Sequence, residues 1–185
     1  MYVHGWGDYS TRKPWLVHLR ERGDVVLFPQ YQRARDDTTA ATVRHLGDAL
    51  RVAFARRGLE RLPVVAVGYS WGAKLVFDFA EQARRWRVPL PRAVMSVFQP
   101  SLVFGRPTGR LPPTVRVLLL SGDSDNPDAA RYYRAWLRNR PLTTAITVRS
   151  RGTWLANHEA PSRTDALARR LFWSRLDALV DLARR

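Results

Sequence analysis

Gly68-Tyr69-Ser70-Trp71-Gly72 sets a hydroxyl between two glycines. An apolar, β-branched run (Val64-Val65-Ala66-Val67) precedes it, and a helical pattern from Ala73 to Arg85 follows. A serine at the tip of a sharp strand-to-helix turn stands exposed to a reacting carbonyl. The amides after it, beginning with that of Trp71, point to where negative charge would build up. The glycines leave room where a Cβ would collide with the adjoining strand and helix. The same pattern also arises by chance as an ordinary glycine turn, so its meaning rests on the strand before, the helix after, and partners elsewhere.

A serine hydroxyl becomes a nucleophile only when a base removes its proton, and a carboxylate usually orients that base. Two downstream loops at expected strand ends carry such groups. Ser121-Gly122-Asp123-Ser124-Asp125-Asn126-Pro127 holds two carboxylates, and the loop from Ser150 ends in Asn157-His158. No other histidine lies downstream of Ser70. Upstream, His4-Gly5-Trp6-Gly7 marks a loop where backbone must approach something closely. It reads either as a simple glycine turn or as the second half of an oxyanion hole with the Trp6 amide as donor. Ser10 stands where the dinucleotide fingerprint needs its third glycine, which excludes that motif. Trp6, Tyr9, Tyr69, Trp71 and Trp154, with Tyr31, fall on loops expected near Ser70. Each alone is an ordinary packing residue. Together they suggest an aromatic-walled cleft suited to acyl or aryl groups, with Tyr9, Tyr31, Tyr69 and Trp154 as substrate-binding candidates.

The elements that must position these groups alternate. A stub at Met1–Val3 is followed by a helix over Pro14–Arg22 and a strand at Val25–Phe28, stopped by Pro29. A long helix capped by Asp37 or Thr38 runs to about Arg57. After the central strand and helix come strands at Ala93–Phe98, Val115–Leu120 and Ala145–Val148. Helices are expected at Ala129–Asn139 and Arg163–Arg184. Alternation of short apolar strands and amphipathic helices predicts an α/β fold: a doubly wound, mostly parallel sheet of about six strands with helices on both faces. Neither linker nor repeat appears, so residues 1–185 read as a single domain.

Composition narrows the chemistry. The 185 residues contain no cysteine, which excludes disulfides, thiol nucleophiles and thiolate metal sites. No apolar run approaches the roughly eighteen residues of a transmembrane helix. No signal peptide is visible, so a cytoplasmic location is expected, or secretion if the amino terminus is truncated. The formal charge is +15, from 29 arginines and two lysines against 16 acidic residues. That favours polyanions in general. The arginines are spread along the chain and no nucleic-acid module appears, so no specific nucleic-acid partner is expected. His4 is expected to order its loop by hydrogen bonding, while His18 and His45 fall on helices as surface or packing residues. No histidine or carboxylate spacing reads as a metal site. Lys74 lies four residues past Ser70, so a Ser-x-x-Lys pattern is absent and Lys74 is expected on the helix surface.

On His4-Gly5-Trp6-Gly7, Gly68-Tyr69-Ser70-Trp71-Gly72, Gly122-Asp123-Ser124-Asp125 and His158, in that order, the chain resembles the α/β-hydrolase superfamily. The resemblance implies Ser70 as nucleophile, His158 as base, and Asp125 as its orienting acid on the family's Gly-x-x-Asp pattern. Asp123 is the alternative and is expected to brace the turn. The amides of Trp6 and Trp71 would form the oxyanion hole. Phe28-Pro29-Gln30-Tyr31-Gln32 looks like the dienelactone-hydrolase, chlorophyllase and polyester-hydrolase branches. The family's first two strands and its cap domain have no counterpart here. The implied activity is cofactor-free cleavage of carboxylic esters through an acyl-enzyme, on a small ester with an apolar acyl or aryl group. Two other readings stand beside it: a non-catalytic binding protein that keeps the fold, and an electrostatic binder of polyanions. Oligomeric state is not legible.

Overall fold

Short runs of Val, Ala and Leu with no polar face form strands buried on both sides, as a parallel sheet requires. The computed structural model describes residues 1–8, 14–32, 38–56, 58–107 and 109–185. Its five strands are β1 (Tyr2–Val3), β2 (Val65–Tyr69), β3 (Ala93–Val97), β4 (Arg116–Gly122) and β5 (Thr143–Val148). They pair in the order β1-β2-β3-β4-β5, and every pairing is parallel. All residues of β2 and β3 are buried.

Side-chain alternation divides the core into two layers. Tyr2, Val67, Met95, Leu120 and Val148 face one side, where α1 (Pro14–Glu21) and the C-terminal helices pack through Trp15, Leu19, Phe172 and Leu176. Val3, Ala66, Val94, Val117 and Leu119 face the other. That side is covered by α2 (Thr39–Phe54), α3 (Trp71–Trp86) and α4 (Pro127–Leu137). Thr38 caps α2, its hydroxyl oxygen accepting from the Ala41 amide at 3.2 Å. Asp37, the other cap candidate, and Arg57, the expected end of α2, lie outside the described residues. Within α2, Gly47 lets the helix meet α3: a Cβ there would lie 2.7 Å from the Trp86 ring.

The expected strand at Val25–Phe28 is not formed. The segment lies beside β1 and accepts one ladder bond, from the Tyr2 amide to the Leu27 carbonyl at 2.9 Å. Its neighbour β1 spans only two residues, and Pro29, which has no amide hydrogen to donate, ends the run. The position is still informative. Tyr2 has Leu27 on one side and Val67 on the other. The chain therefore steps outward from β1 and then returns to its opposite side at β2. Such a reversal opens a crevice at the carboxyl ends of β1 and β2, where the His4–Gly7 loop and Ser70 lie.

The expected helix over Arg163–Arg184 begins at Ala166, runs to Arg184 and is widened by one π turn. Ala160–Ser162 is a 3₁₀ turn, α5 (Ala166–Ala168) is capped by the Asp165 side chain, and Arg169–Trp173 is a π turn leading into α6 (Ser174–Arg184). The wide π turn keeps Ala168 and Phe172 on the sheet side together with Leu176, Leu179 and Ala183. Among the described residues, no helix is long and apolar enough to cross a membrane.

Candidate active site

Ser70 sits between β2 and α3 with φ 54° and ψ −121°, a left-handed backbone uncommon for a residue with a Cβ. Neighbouring strands hold the turn. The Ser70 amide donates to the Val97 carbonyl at 3.1 Å, and the Ala73 amide donates to the Ser70 carbonyl at 2.9 Å. The two glycines have separate reasons. A Cβ on Gly68 would lie 2.0 Å from the Gly72 carbonyl oxygen, and one on Gly72 would lie 2.0 Å from that of Val3. Strand, elbow and helix are thus pressed together along bare backbone, and the serine hydroxyl projects beyond the sheet. The amide of Trp71 opens α3 next to it.

The His158 ring reaches Ser70 from the loop after β5. Ser70 Oγ–H donates to His158 Nε2 at 2.8 Å, and His158 Nδ1–H donates to Asp125 Oδ1 at 3.0 Å. A carboxylate can only accept, so Asp125 fixes the tautomer that leaves Nε2 free to take a proton. The hydrogen bond to Asp125 raises the proton affinity of His158 above the ordinary imidazole value. Partial burial opposes this, and the charges of Asp125 and Glu159 add to it. The Asp125 side chain is nearly covered.

Asp123 faces elsewhere. It accepts from the Ser150 hydroxyl at 2.6 Å and from the Ser150 amide, and these bonds hold its carboxyl below the usual range. The Ala156 amide in turn donates to Ser150 Oγ at 3.0 Å. The loop after β5 is thereby laced to the loop after β4. Gly122 permits the crossing: a Cβ there would lie 1.9 Å from the Ala156 carbonyl oxygen. Gly122 is the glycine of the Gly-x-x-Asp pattern, but its contact with Ala156 and the role of Ser150 come from loops far apart in the chain, which no local pattern reports. The same holds for Gln99. Its amide donates to the Ser96 and Leu120 carbonyls, and its oxygen accepts from Ser121, locking the ends of β3 and β4 beside Asn126.

The His4–Gly7 loop lies against the elbow, since a Cβ on Gly5 would sit 3.3 Å from that of Ser70. His4 is buried, donates through Nδ1 to the Gly5 carbonyl at 2.7 Å, and stacks on Tyr31 and Phe28. The Gly7 amide donates to Gln32 Oε1 at 2.8 Å. Trp6 is held edge-on against Trp71.

Several expected cleft residues lie elsewhere. Tyr31 is fully buried and donates to the His4 carbonyl at 2.6 Å, so it braces the loop from behind. Trp154 packs into the core on the α1 and α6 side and donates through Nε1 to Asp165. Tyr69 is also buried. Its hydroxyl donates to the His158 carbonyl at 2.7 Å and its ring lies 5.2 Å from the imidazole, so it touches His158. Tyr9 lies outside the described residues. Lys74 is not on the surface: it is buried and paired with Asp78 at 2.6 Å, near the Trp71 ring. A helix wheel cannot show that the loop at Gly105 closes over it. His18 bonds Asp177 and His45 bonds the Tyr31 carbonyl, both in packing roles. Among the described residues no group of three or more histidines and carboxylates could hold a metal.

No protein-family model matches the sequence, nor does any curated protein. Solved structures do match in shape. An α/β-hydrolase superfamily protein from Enterococcus faecalis superposes with a TM-score of 0.70 at 14% identity, over 98% of this chain and 89% of that one. Esterase B from Lactobacillus rhamnosis gives 0.72 at 16% identity, over 98% and 75%. The carboxylesterase of Bacillus cereus gives 0.59 at 14% identity, over 98% and 87%. The chain has the α/β-hydrolase fold. At such identities the likeness concerns the path of the backbone. In the α/β-hydrolase fold, a strand-to-helix elbow at the sheet's carboxyl edge and the loops after later strands converge as they do here.

Proposed function

We propose that the protein is a serine hydrolase that cleaves carboxylic esters through an acyl-enzyme. The observation that carries this reading is the relay of 2.8 Å from Ser70 Oγ to His158 Nε2 and 3.0 Å from His158 Nδ1 to Asp125. Those distances suit general-base catalysis. Ser70 Oγ would attack the ester carbonyl as its proton passes to Nε2. The oxyanion would rest against the amides of Trp71 and Trp6. His158 would then protonate the departing alkoxide as the carbon–oxygen bond breaks. A water molecule, deprotonated by the same nitrogen, would attack the acyl-serine and release the acid. Asp125 would hold the tautomer and stabilise the imidazolium. Neighbours of like shape from Lactobacillus rhamnosis and Bacillus cereus that are named esterases support ester substrates. The hydrogen-bonded relay favours catalysis over a purely scaffolding role.

A fluorophosphonate reagent tests the proposal. It should label the protein stoichiometrically at Ser70 and abolish turnover of p-nitrophenyl esters, and Ser70→Ala should lose both labelling and turnover. Equal labelling of the alanine variant, or no turnover of any ester by folded protein, would refute it.

A further inference from the structure

Three large apolar side chains beside the elbow are open to solvent: Trp6 (37% exposed), Phe104 (50%) and Val103 (85%). Trp6 and Phe104 are joined through Trp71, the residue after Ser70, and Val103 precedes Phe104 in the same 3₁₀ turn. The Trp71 ring is buried, with the Trp6 ring edge-on at 5.4 Å and the Phe104 ring edge-on at 5.9 Å. The turn carrying Phe104, Leu102–Phe104, is seated on the first turn of α3: Gly105 packs on the Lys74 side chain, and Leu102 packs into the core layer of α2, α3 and α4. The exposed rings are therefore held in place.

The side of the sheet matters. The shelf belongs to the α2–α3 layer, with Trp71 and Leu102 in that core. The loop carrying His158 packs on the opposite layer through Trp154, Ala156 and Ala160. His158 must protonate the leaving alkoxide, so the alcohol portion of a bound ester lies toward His158. The acyl portion would then lie on the α2–α3 side, toward the exposed Trp6 and Phe104 rings.

We infer that Trp6, Phe104 and Val103, underpinned by the buried Trp71 ring, form an open shelf for a linear, medium-length acyl chain, and that Phe104 sets the preference for chain length. This rests on the ester-hydrolase reading and names its substrate class. A chain with one face on the shelf and the other in water buries about half of each methylene, which corresponds to roughly a twofold gain in kcat/KM per methylene. Six added methylenes from acetyl to octanoyl then give about sixtyfold.

The test measures kcat/KM for p-nitrophenyl acyl esters from acetate to octanoate, and for acetate esters of alcohols of matching length. The wild type should rise about sixtyfold along the acyl series and stay nearly flat along the alcohol series. Phe104→Ala should cut the octanoate-to-acetate ratio to about fivefold or less, whereas Val52→Ser, an exposed change on α2, should leave it intact. Turnover of acetate with a flat acyl series, a steep alcohol series, or an unaltered ratio in Phe104→Ala would overturn the shelf and leave the hydrolase reading standing. Absence of turnover and of fluorophosphonate labelling would remove both. A dimer in sedimentation that Phe104→Ala dissociates would give the patch to a second copy and overturn the inference.

Discussion

The hydroxyl of Tyr69 ties the elbow to the loop that carries His158, the proposed base. Tyr69→Phe removes that one atom and keeps the ring against the imidazole. The lost bond runs at 2.7 Å from a largely buried donor to the His158 carbonyl. A hydrogen bond of this kind contributes about 0.5–1.5 kcal/mol net. If that energy holds His158 over Ser70, its loss lowers the engaged population by between about twofold and tenfold. Turnover under saturating substrate should fall by that factor. KM should stay put, because the hydroxyl faces the loop backbone. The rate of phosphonylation of Ser70 should fall in parallel, since it draws on the same base. The melting temperature should drop by about 2–4 °C per kcal/mol lost. A variant that melts earlier but keeps wild-type kcat and phosphonylation rate would show that the bond serves only stability. A rise in KM with unchanged kcat would return Tyr69 to the substrate-contacting role expected from its loop position.

The pH profile follows from the His158–Asp125 bond. The proposed mechanism needs neutral His158, and the bond raises its proton affinity, so kcat/KM should climb along a limb whose midpoint lies above the ordinary 6.5. Asp125→Asn removes the charge, so the midpoint should move to lower pH while kcat falls by roughly 10³–10⁴-fold; an unmoved midpoint would refute the pairing. Lys74→Met leaves Asp78 buried without its partner and should cost about 3–5 kcal/mol in urea unfolding. Adding Asp78→Leu should recover most of it, and failure to recover would point to Lys74 packing rather than charge.

Ser70 and its flanking glycines were legible because an elbow is local: five adjacent residues, a strand before and a helix after. The alternation of strands and helices was legible for the same reason, since periodicity belongs to neighbours in the chain. That Asp125 and His158 could serve as partners was visible only as an order of residue types along loops. The Gly-x-x-Asp resemblance favoured Asp125 over Asp123, but that Ser150 holds Asp123 away from His158 depends on two loops laced across Gly122, and no local pattern reports such a crossing.

Burial likewise came from outside the local pattern. Tyr31 and Trp154 read as cleft walls because they sit on loops, yet each loop folds back over a layer and takes its ring inside. Lys74 read as a surface residue until the Gly105 turn covered it. Val25–Phe28 has strand composition and meets β1 at the Leu27 carbonyl, but Pro29 stops the run before a strand forms. Residue types along this chain determined which chemistry was available to it. Packing alone decided which of those groups meet, because contact distance depends on how layers and loops close over one another.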